Sequence, residues 1–251
     1  MSTARTLRLP SPPRFPISIR QSLPPNKRRT FITLPSPPPQ TLTASRRLPY
    51  RHTHLYNLIA DVDSYVCFLP YCQTSRVTHW TTPSPSASPS TSSPTPPPRR
   101  WPTRADLTAG WGGIQETYTS RLFCIPSQGI VEAISGDART TIPASDLQKY
   151  GLVDAGPDPV PRTGSGSGDG GVFKSLVTRW TVTPAGTGGE EWSDVRLSIR
   201  YQFANPLYMA VSSAVADKVA PIMVEAFVGR ARQVLGEPGR EKESKRAQVS
   251  R

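Results

Sequence analysis

Asp194-Val195-Arg196-Leu197-Ser198-Ile199-Arg200-Tyr201-Gln202-Phe203, followed at once by Ala204-Asn205-Pro206-Leu207-Tyr208, decides the fold. Val195, Leu197, Ile199, Tyr201 and Phe203 alternate with Asp194, Arg196, Ser198, Arg200 and Gln202. Successive side chains of a strand point to opposite faces, so this strand has one covered and one wet face, as antiparallel sheets do. Asn205 offers an N-cap side chain and Pro206 a preset first helical residue. A helix is expected from there to about Leu235, with Gly236 to stop it. Val211, Val215, Val219, Ile222, Ala226 and Phe227 form its expected apolar stripe. Pro221 is expected to remove one backbone bond and kink it.

Outward from this stretch the pattern continues. Leu176, Thr178, Trp180 and Val182 share one face of a preceding strand, joined to it by a turn at 184–189. Ala105, Leu107, Ala109 and Trp111 alternate in the same way, and Gly112-Gly113 is a two-residue hairpin signal. Residues 114–125 follow as a long strand whose facing the pattern leaves open, and Pro126-Ser127-Gln128-Gly129 turns into 130–134. Near the start, 45–49 reads as a short edge strand. Thr53 reads as the N-cap of a helix on which Leu55, Leu58, Ile59 and Val62 recur at helical spacing. Asp61 to Tyr65 breaks that helix from a second one, which Phe68-Leu69-Pro70-Tyr71 ends. Residues 73–80 read as a strand. The expected class is α+β: a curved antiparallel sheet of about six to seven strands around a long C-terminal helix, with two short helices after the first strand.

Charge and composition bound the rest. The chain has 251 residues, 29 prolines and a formal charge of +12. Ten of the basic side chains lie in residues 1–60, which hold no acid, whereas 61–239 carries 15 basic against 16 acidic residues. The positive charge therefore sits on the N-terminal segment, with a smaller excess on the tail. An Arg-rich, acid-free leader reads as a mitochondrial transit peptide, with Arg28-Arg29-Thr30-Phe31 as a protease site and a mature start near Ile32. The alternative is a disordered basic arm for nucleic acid. Three cysteines exclude a disulfide scaffold, and no apolar run reaches the ~18 residues of a membrane span. The organisation expected is a leader over 1–40, a single domain over 41–239 and a charged tail over 240–251. Two disordered insertions interrupt the domain: 81–103, with eight prolines, and 136–171, rich in Gly and Ser. Within the second, 145–152 suits a short helical turn. Its Gly run lacks the Gly-Lys-Ser/Thr of a phosphate loop.

Leu55-Tyr56-Asn57-Leu58-Ile59-Ala60-Asp61-Val62-Asp63-Ser64-Tyr65 and Phe68-Leu69-Pro70-Tyr71-Cys72 resemble the coenzyme Q-binding protein family, within the START-like, polyketide cyclase-related superfamily. The resemblance continues through Trp111 to Arg121 and is strongest at Tyr201 to Tyr208, with Glu225-Ala226-Phe227 downstream. It implies a helix-grip fold and a hydrophobic cavity holding ubiquinone or a polyprenyl precursor, with no chemistry on the ligand and no catalytic cofactor. It implies a peripheral protein on the matrix side of the mitochondrial inner membrane that supports respiration and ubiquinone biosynthesis. Quinone-biosynthesis enzymes or respiratory complexes are the implied partners.

Such a ligand needs an apolar wall and a few donors for its ring oxygens. The sheet offers Leu107, Trp111, Trp180, Leu197, Ile199, Tyr201 and Phe203. The long helix offers Met209, Val219, Ile222, Met223 and Phe227. Ordinary core packing is the competing use of each. Phe68, Leu69 and Tyr71 suit a gate or a membrane contact, or else a hydrophobic corner under the helix. No catalytic or metal site is expected: His52, His54 and His79 have no acidic neighbour in a useful place, and Cys67 and Cys72 are a poor zinc pair. Two other functions compete. A cyclase-type enzyme on an aromatic ligand needs an acid or base among inward residues, where only Tyr201 and Thr178 stand out. A ribosome- or RNA-associated protein needs clustered cations, which the near-neutral domain does not supply; no nucleic-acid partner is expected. Arg179, Arg196 and Arg200 could form a small outer patch for anionic lipid or a protein.

Overall fold

Hydrogen-bonded pairing turns the alternating segments into one antiparallel sheet of seven described strands. They are β1 (Gln40–Leu48), β2 (Cys72–Trp80), β3 (Pro102–Trp111), β4 (Ile114–Ile125), β5 (Ile130–Gly136), β6 (Phe173–Pro184) and β7 (Ser193–Phe203). The computed structural model describes residues 38–82, 100–111, 114–154, 156, 173–186, 191–204 and 206–236, without the side chains of 111, 114 and 206–216. The expected leader, apart from its last three residues, and the tail lie outside these residues.

The spatial order is β1-β7-β6-β5-β4-β3-β2. After β1 the chain passes through α1 (His52–Ala60) and a 3₁₀ turn (Val62–Cys67) to the opposite edge. It then walks back strand by strand until β7 closes on β1. The first strand is nine residues long, because Gln40 to Ala44 also pair with Tyr201 to Leu197. The first helix starts one residue before Thr53, and its N-cap, Arg51, makes no side-chain cap bond. Thr53 is thus inside the first turn, where a cap hydroxyl has no role.

Helix α3 (Pro206–Leu235) runs unbroken through Pro221. Pro221 and Asp217, whose carbonyl it leaves unbonded, are both exposed, so water can take up that acceptor. The stripe that α3 buries is Ala220, Val224, Phe227, Val228 and Ala231, with Val219 and Met223 beside it. Ile222 is 39% exposed and stands off the stripe, since 100° per residue carries it away from the sheet. Tyr50 donates its hydroxyl to the Gly236 carbonyl at 2.8 Å, and Arg46 pairs with Glu225, tying both strand and helix ends together.

The two expected insertions behave differently. For the first, Thr81 N–H donates to the Trp101 carbonyl at 2.8 Å, and Trp101 N–H donates to Thr81 Oγ1 at 3.0 Å. Trp101 packs edge-on against Tyr56, centroids 5.3 Å apart. Pro102 and Thr103 already belong to β3, so only 83–99 of this insertion lies outside the described residues.

Much of the second was expected to be disordered, yet 136–154 is built into the fold. It carries α2 (Ala144–Lys149) and lays Ile142, Leu147 and Leu152 on Phe123, Ile125 and Ile134 of the outer sheet face. Polar ties hold it there. Glu132, 1% exposed, accepts from Arg179 and from Thr140, whose hydroxyl is 2.5 Å away. Arg121 pairs with Asp154 and donates to the Ala138 carbonyl at 2.5 Å. The composition of 157–172 dominated the expectation, and those residues lie outside the described set.

Gly129 turns β4 into β5 at φ +63, and a Cβ there would meet the Val182 carbonyl oxygen at 2.0 Å. Gly129→Ala is therefore expected to destabilise by more than about 1 kcal/mol, since left-handed strain adds to a backbone clash. A chemical-denaturation midpoint would check this.

Candidate functional site

Register sorts the sheet into an inner face toward α3 and an outer one. Cys124, Val131, Trp180 and Leu197 lie across β4–β7 in one row and are fully buried. Next comes Leu122, Ala133, Thr178 and Ile199, then Leu176 and Tyr201 with Ser135. Ser120 and Ser135 hydroxyls satisfy each other at 2.8 Å, and Tyr201 donates to Gln40 Oε1 at 2.6 Å. Beyond this row the inner face continues on β3 and β4 as Leu107 opposite Tyr118 and Ala109 opposite Glu116. Ala133, Thr178, Leu176, Leu107, Tyr118 and Glu116 point inward yet remain only half-buried. This end of the inner face is therefore packed less closely than the Trp180 row.

The expected wall residues divide accordingly. Trp180, Leu197, Ile199, Tyr201 and Phe203 are buried on the inner face, and Phe227 lies 5.3 Å from the Trp180 ring. Leu107, Val219 and Met223 are half-buried, with Met223 touching both the main core and the cluster under the 3₁₀ turn. Ile222 is exposed and faces away from the sheet. The side chains of Trp111 and Met209 lie outside the described residues. At the expected gate, Leu69 is buried and Phe68 packs between Tyr65 and Phe227, centroids 5.6 and 6.4 Å away. Only Tyr71 is surface, 40% exposed and at φ +66, with Val66 exposed nearby.

Two further inward polar residues are Glu116 and Tyr118. Their facing has a sequence signal, because a two-residue hairpin at Gly112-Gly113 pairs Trp111 with Ile114 and so fixes Tyr118 opposite Leu107. Burial pushes the Tyr118 phenol well above the usual range, with the Cys72 and Glu116 charges adding to it. Burial likewise raises the Cys72 thiol. The Trp180 indole N–H is buried and has no hydrogen-bond partner among the described residues.

Elsewhere the chemistry is sparse. His54 and His79 are exposed, and no described cluster of three His, Cys, Asp or Glu could hold a metal. A groove of about 670 Å³ on the outer side of β1, β7 and β6 is lined by Arg and hydroxyl residues, with Arg47 bidentate on Asp194 at 2.8 and 3.0 Å. That polar lining, with Asp194 in it, does not suit an apolar molecule. Of the expected three-arginine patch, Arg179 is taken up by Glu132, leaving Arg196 and Arg200 exposed. Among the described residues no helix is long and apolar enough to cross a membrane.

Residues 48–142 and 161–228 match the family model for polyketide cyclase / dehydrase and lipid transport. The chain is 28% identical over 189 residues to the mitochondrial coenzyme Q-binding protein coq10 of Schizosaccharomyces pombe, covering 75% of this chain and 85% of that one. It is 25% identical over 187 residues to the ribosome association toxin RatA of Escherichia coli, covering 74% of this chain and 84% of that one. Among solved structures, the Zhui aromatase/cyclase from Streptomyces sp. R1128 superposes with a TM-score of 0.51 at 10% identity, over 80% of this chain and 98% of that one.

Proposed function

The chain belongs to the polyketide cyclase / dehydrase and lipid transport family, and from that premise we propose that it binds a prenylated quinone, ubiquinone or a polyprenyl precursor, without transforming it. The observation that carries this is Trp180. A buried indole N–H left without an acceptor costs about 1–3 kcal/mol, and a ligand oxygen on the inner face would supply one. Phe227 lies beside the Trp180 ring, and Met223, Leu176 and Phe203 belong to the same inner hydrophobic cluster, giving the apolar contact that a prenyl chain requires, at ~0.8 kcal/mol per buried CH₂. Met223 adapts to such a chain because its thioether is flexible.

The non-catalytic part of the reading rests on the same face. A phenol held protonated by burial, as Tyr118 is, makes a poor base at neutral pH. That leaves Glu116 as the one inward carboxylate among the described residues. No catalytic cofactor is needed. The ring and its first isoprene units enter the site, and the distal chain stays in lipid. Exposed Val66 and Tyr71, beside packed Phe68 and Leu69, make the contact with the bilayer. The acid-free leader and the mitochondrial name of the coenzyme Q-binding relative support a peripheral place on the matrix side of the inner membrane. There the protein would serve quinone-biosynthesis enzymes or respiratory complexes.

Organic extraction of the purified full chain, followed by mass spectrometry, tests the reading. A prenylated benzoquinone is expected, and Trp180→Phe should retain roughly 5- to 10-fold less of it, the weight of one lost buried hydrogen bond. An empty protein that sediments with ribosomes would replace this reading with the one that the RatA likeness suggests.

A further inference from the structure

We propose that Thr178 sets the specificity of the site: its hydroxyl binds a second ring oxygen of a ligand whose first ring oxygen accepts from Trp180, so that a ring with two oxygens is preferred over a ring with one. The inference rests on the quinone-binding reading above and adds to it the oxygen pattern that the site selects.

Strand β6 places the two residues side by side. Both face inward, Trp180 between Val131 and Leu197, and Thr178 between Ala133 and Ile199. Residues two apart on a strand stand about 6.6 Å from each other along one face, so a single six-membered ring lying along the strand can meet both. The Trp180 indole N–H is buried without an acceptor. The Thr178 hydroxyl has no hydrogen-bond partner among the described residues either, and Thr178 keeps part of its surface. In the row beyond it the hydroxyls are already engaged, Ser120 with Ser135 and Tyr201 with Gln40.

Access to Trp180 comes from the Thr178 side. On the other side α1 closes the face: Leu55, Tyr56 and Ile59 are buried in the same cluster, and Tyr56 donates to the Ile130 carbonyl at 3.4 Å. On the near side Ala133, Thr178 and Leu176 are only partly buried, although Leu122 and Ile199 at the ends of the Thr178 row are 2% and 6% exposed. Ala133 packs on the cluster under the 3₁₀ turn and Leu176 on the main core, so Thr178 lies at the seam between them, which Met223 also touches. A ring entering there meets Thr178 next to Trp180, with its prenyl chain directed back toward Leu176. An indole only donates, whereas a threonine hydroxyl donates or accepts, and so suits a carbonyl and a ring hydroxyl alike. The selection is therefore for the number of ring oxygens, not for their oxidation state.

The test uses the full chain and two probes with the same short alkyl chain, a 1,4-benzoquinone and an anisole, with affinity read by calorimetry. The wild type is expected to bind the quinone roughly 5- to 10-fold more tightly, the weight of one buried hydrogen bond. Thr178→Val keeps the shape and removes the hydroxyl, so it should weaken the quinone by that factor and leave the anisole unchanged. Thr178→Ser restores a hydroxyl and should keep the wild-type ratio. A melting temperature of T178V close to wild type would show that the change is local; were T178V unable to fold, Thr178→Ala, which also lacks the hydroxyl, would take its place. Equal affinities in the wild type, an unchanged ratio in a folded variant without the hydroxyl, or a serine variant that behaves like valine would overturn the inference alone. Binding of neither probe by the wild type would sink the quinone reading and this inference with it.

Discussion

Phe227→Ala is expected to remove about 3–5 kcal/mol of stability, the range for deleting a large buried ring. Its side chain is 1% exposed, and its ring lies 5.3 Å from Trp180 and 6.4 Å from Phe68. Trp180 belongs to the packed floor of the inner face, and Phe68 leans on Tyr65 in the cluster under the 3₁₀ turn. One ring thus joins two hydrophobic clusters, and the void left by alanine would border both. Neither neighbour can collapse into it easily, because Trp180 is fixed in the sheet and Phe68 precedes a short loop. For a domain of this size the loss corresponds to a fall in melting temperature of roughly 6–20 °C. Ile222→Ala is the matching control. Ile222 is five residues away on the same helix, but it is 39% exposed and should stay within about 0.5 kcal/mol of the parent. Equal effects at the two positions would mean that α3 turns a different face to the sheet.

Glu132→Ala should have an effect of similar size and a different signature. Glu132 is buried between β5 and the segment that crosses the outer sheet face, where it accepts from Arg179 and Thr140. Removing one member of a buried pair leaves the other charge uncompensated, at a cost of about 3–5 kcal/mol. Arg179 also donates to Thr141 at 2.7 Å, so its guanidinium cannot simply swing into water without releasing the segment. The expected result is faster proteolytic cutting within 137–154, together with a lower melting temperature. Arg121 and Asp154 provide a second tie further along, so a double change with Arg121→Ala should free the segment more fully. Glu132→Gln keeps the acceptor oxygen and should fall between wild type and alanine. Unchanged cutting in the alanine variant would argue that the apolar contacts of Ile142, Leu147 and Leu152 hold the segment alone.

The fold was legible where side-chain period and burial agree. Strand β7 alternates strictly in burial from Ser193 to Phe203, so its facing could be read directly. Strand β4 could not be read this way, because its covered outer face makes Leu122, Phe123, Cys124 and Ile125 buried in succession. An apolar run between two cores has no wet side to give it a phase. The same ambiguity leaves the facing of Glu116 and Tyr118 open until the hairpin with β3 fixes the register. On α3 the sequence offers more apolar positions than one face can bury, so the expected stripe includes the exposed Ile222, whereas the buried one runs through Ala220, Val224 and Val228. The segment after β5 misled for another reason. Its Gly and Ser lie late, whereas Ile142, Leu147 and Leu152, five residues apart and so off the helical period, do the packing.

The clasp between Thr81 and Trp101 has a consequence for how this chain can vary. The Pro-rich stretch leaves the sheet and rejoins it at one bonded pair, directly continuing the β2–β3 ladder. To the sheet, the stretch is a closed parenthesis: whatever stands inside it, the strands on either side meet in the same register. Since closure entropy rises only with the logarithm of length, lengthening or trimming it changes stability by well under about 1 kcal/mol per doubling. Natural or engineered cargo could therefore be exchanged at this point, as text is exchanged between brackets, while the inner face goes on undisturbed.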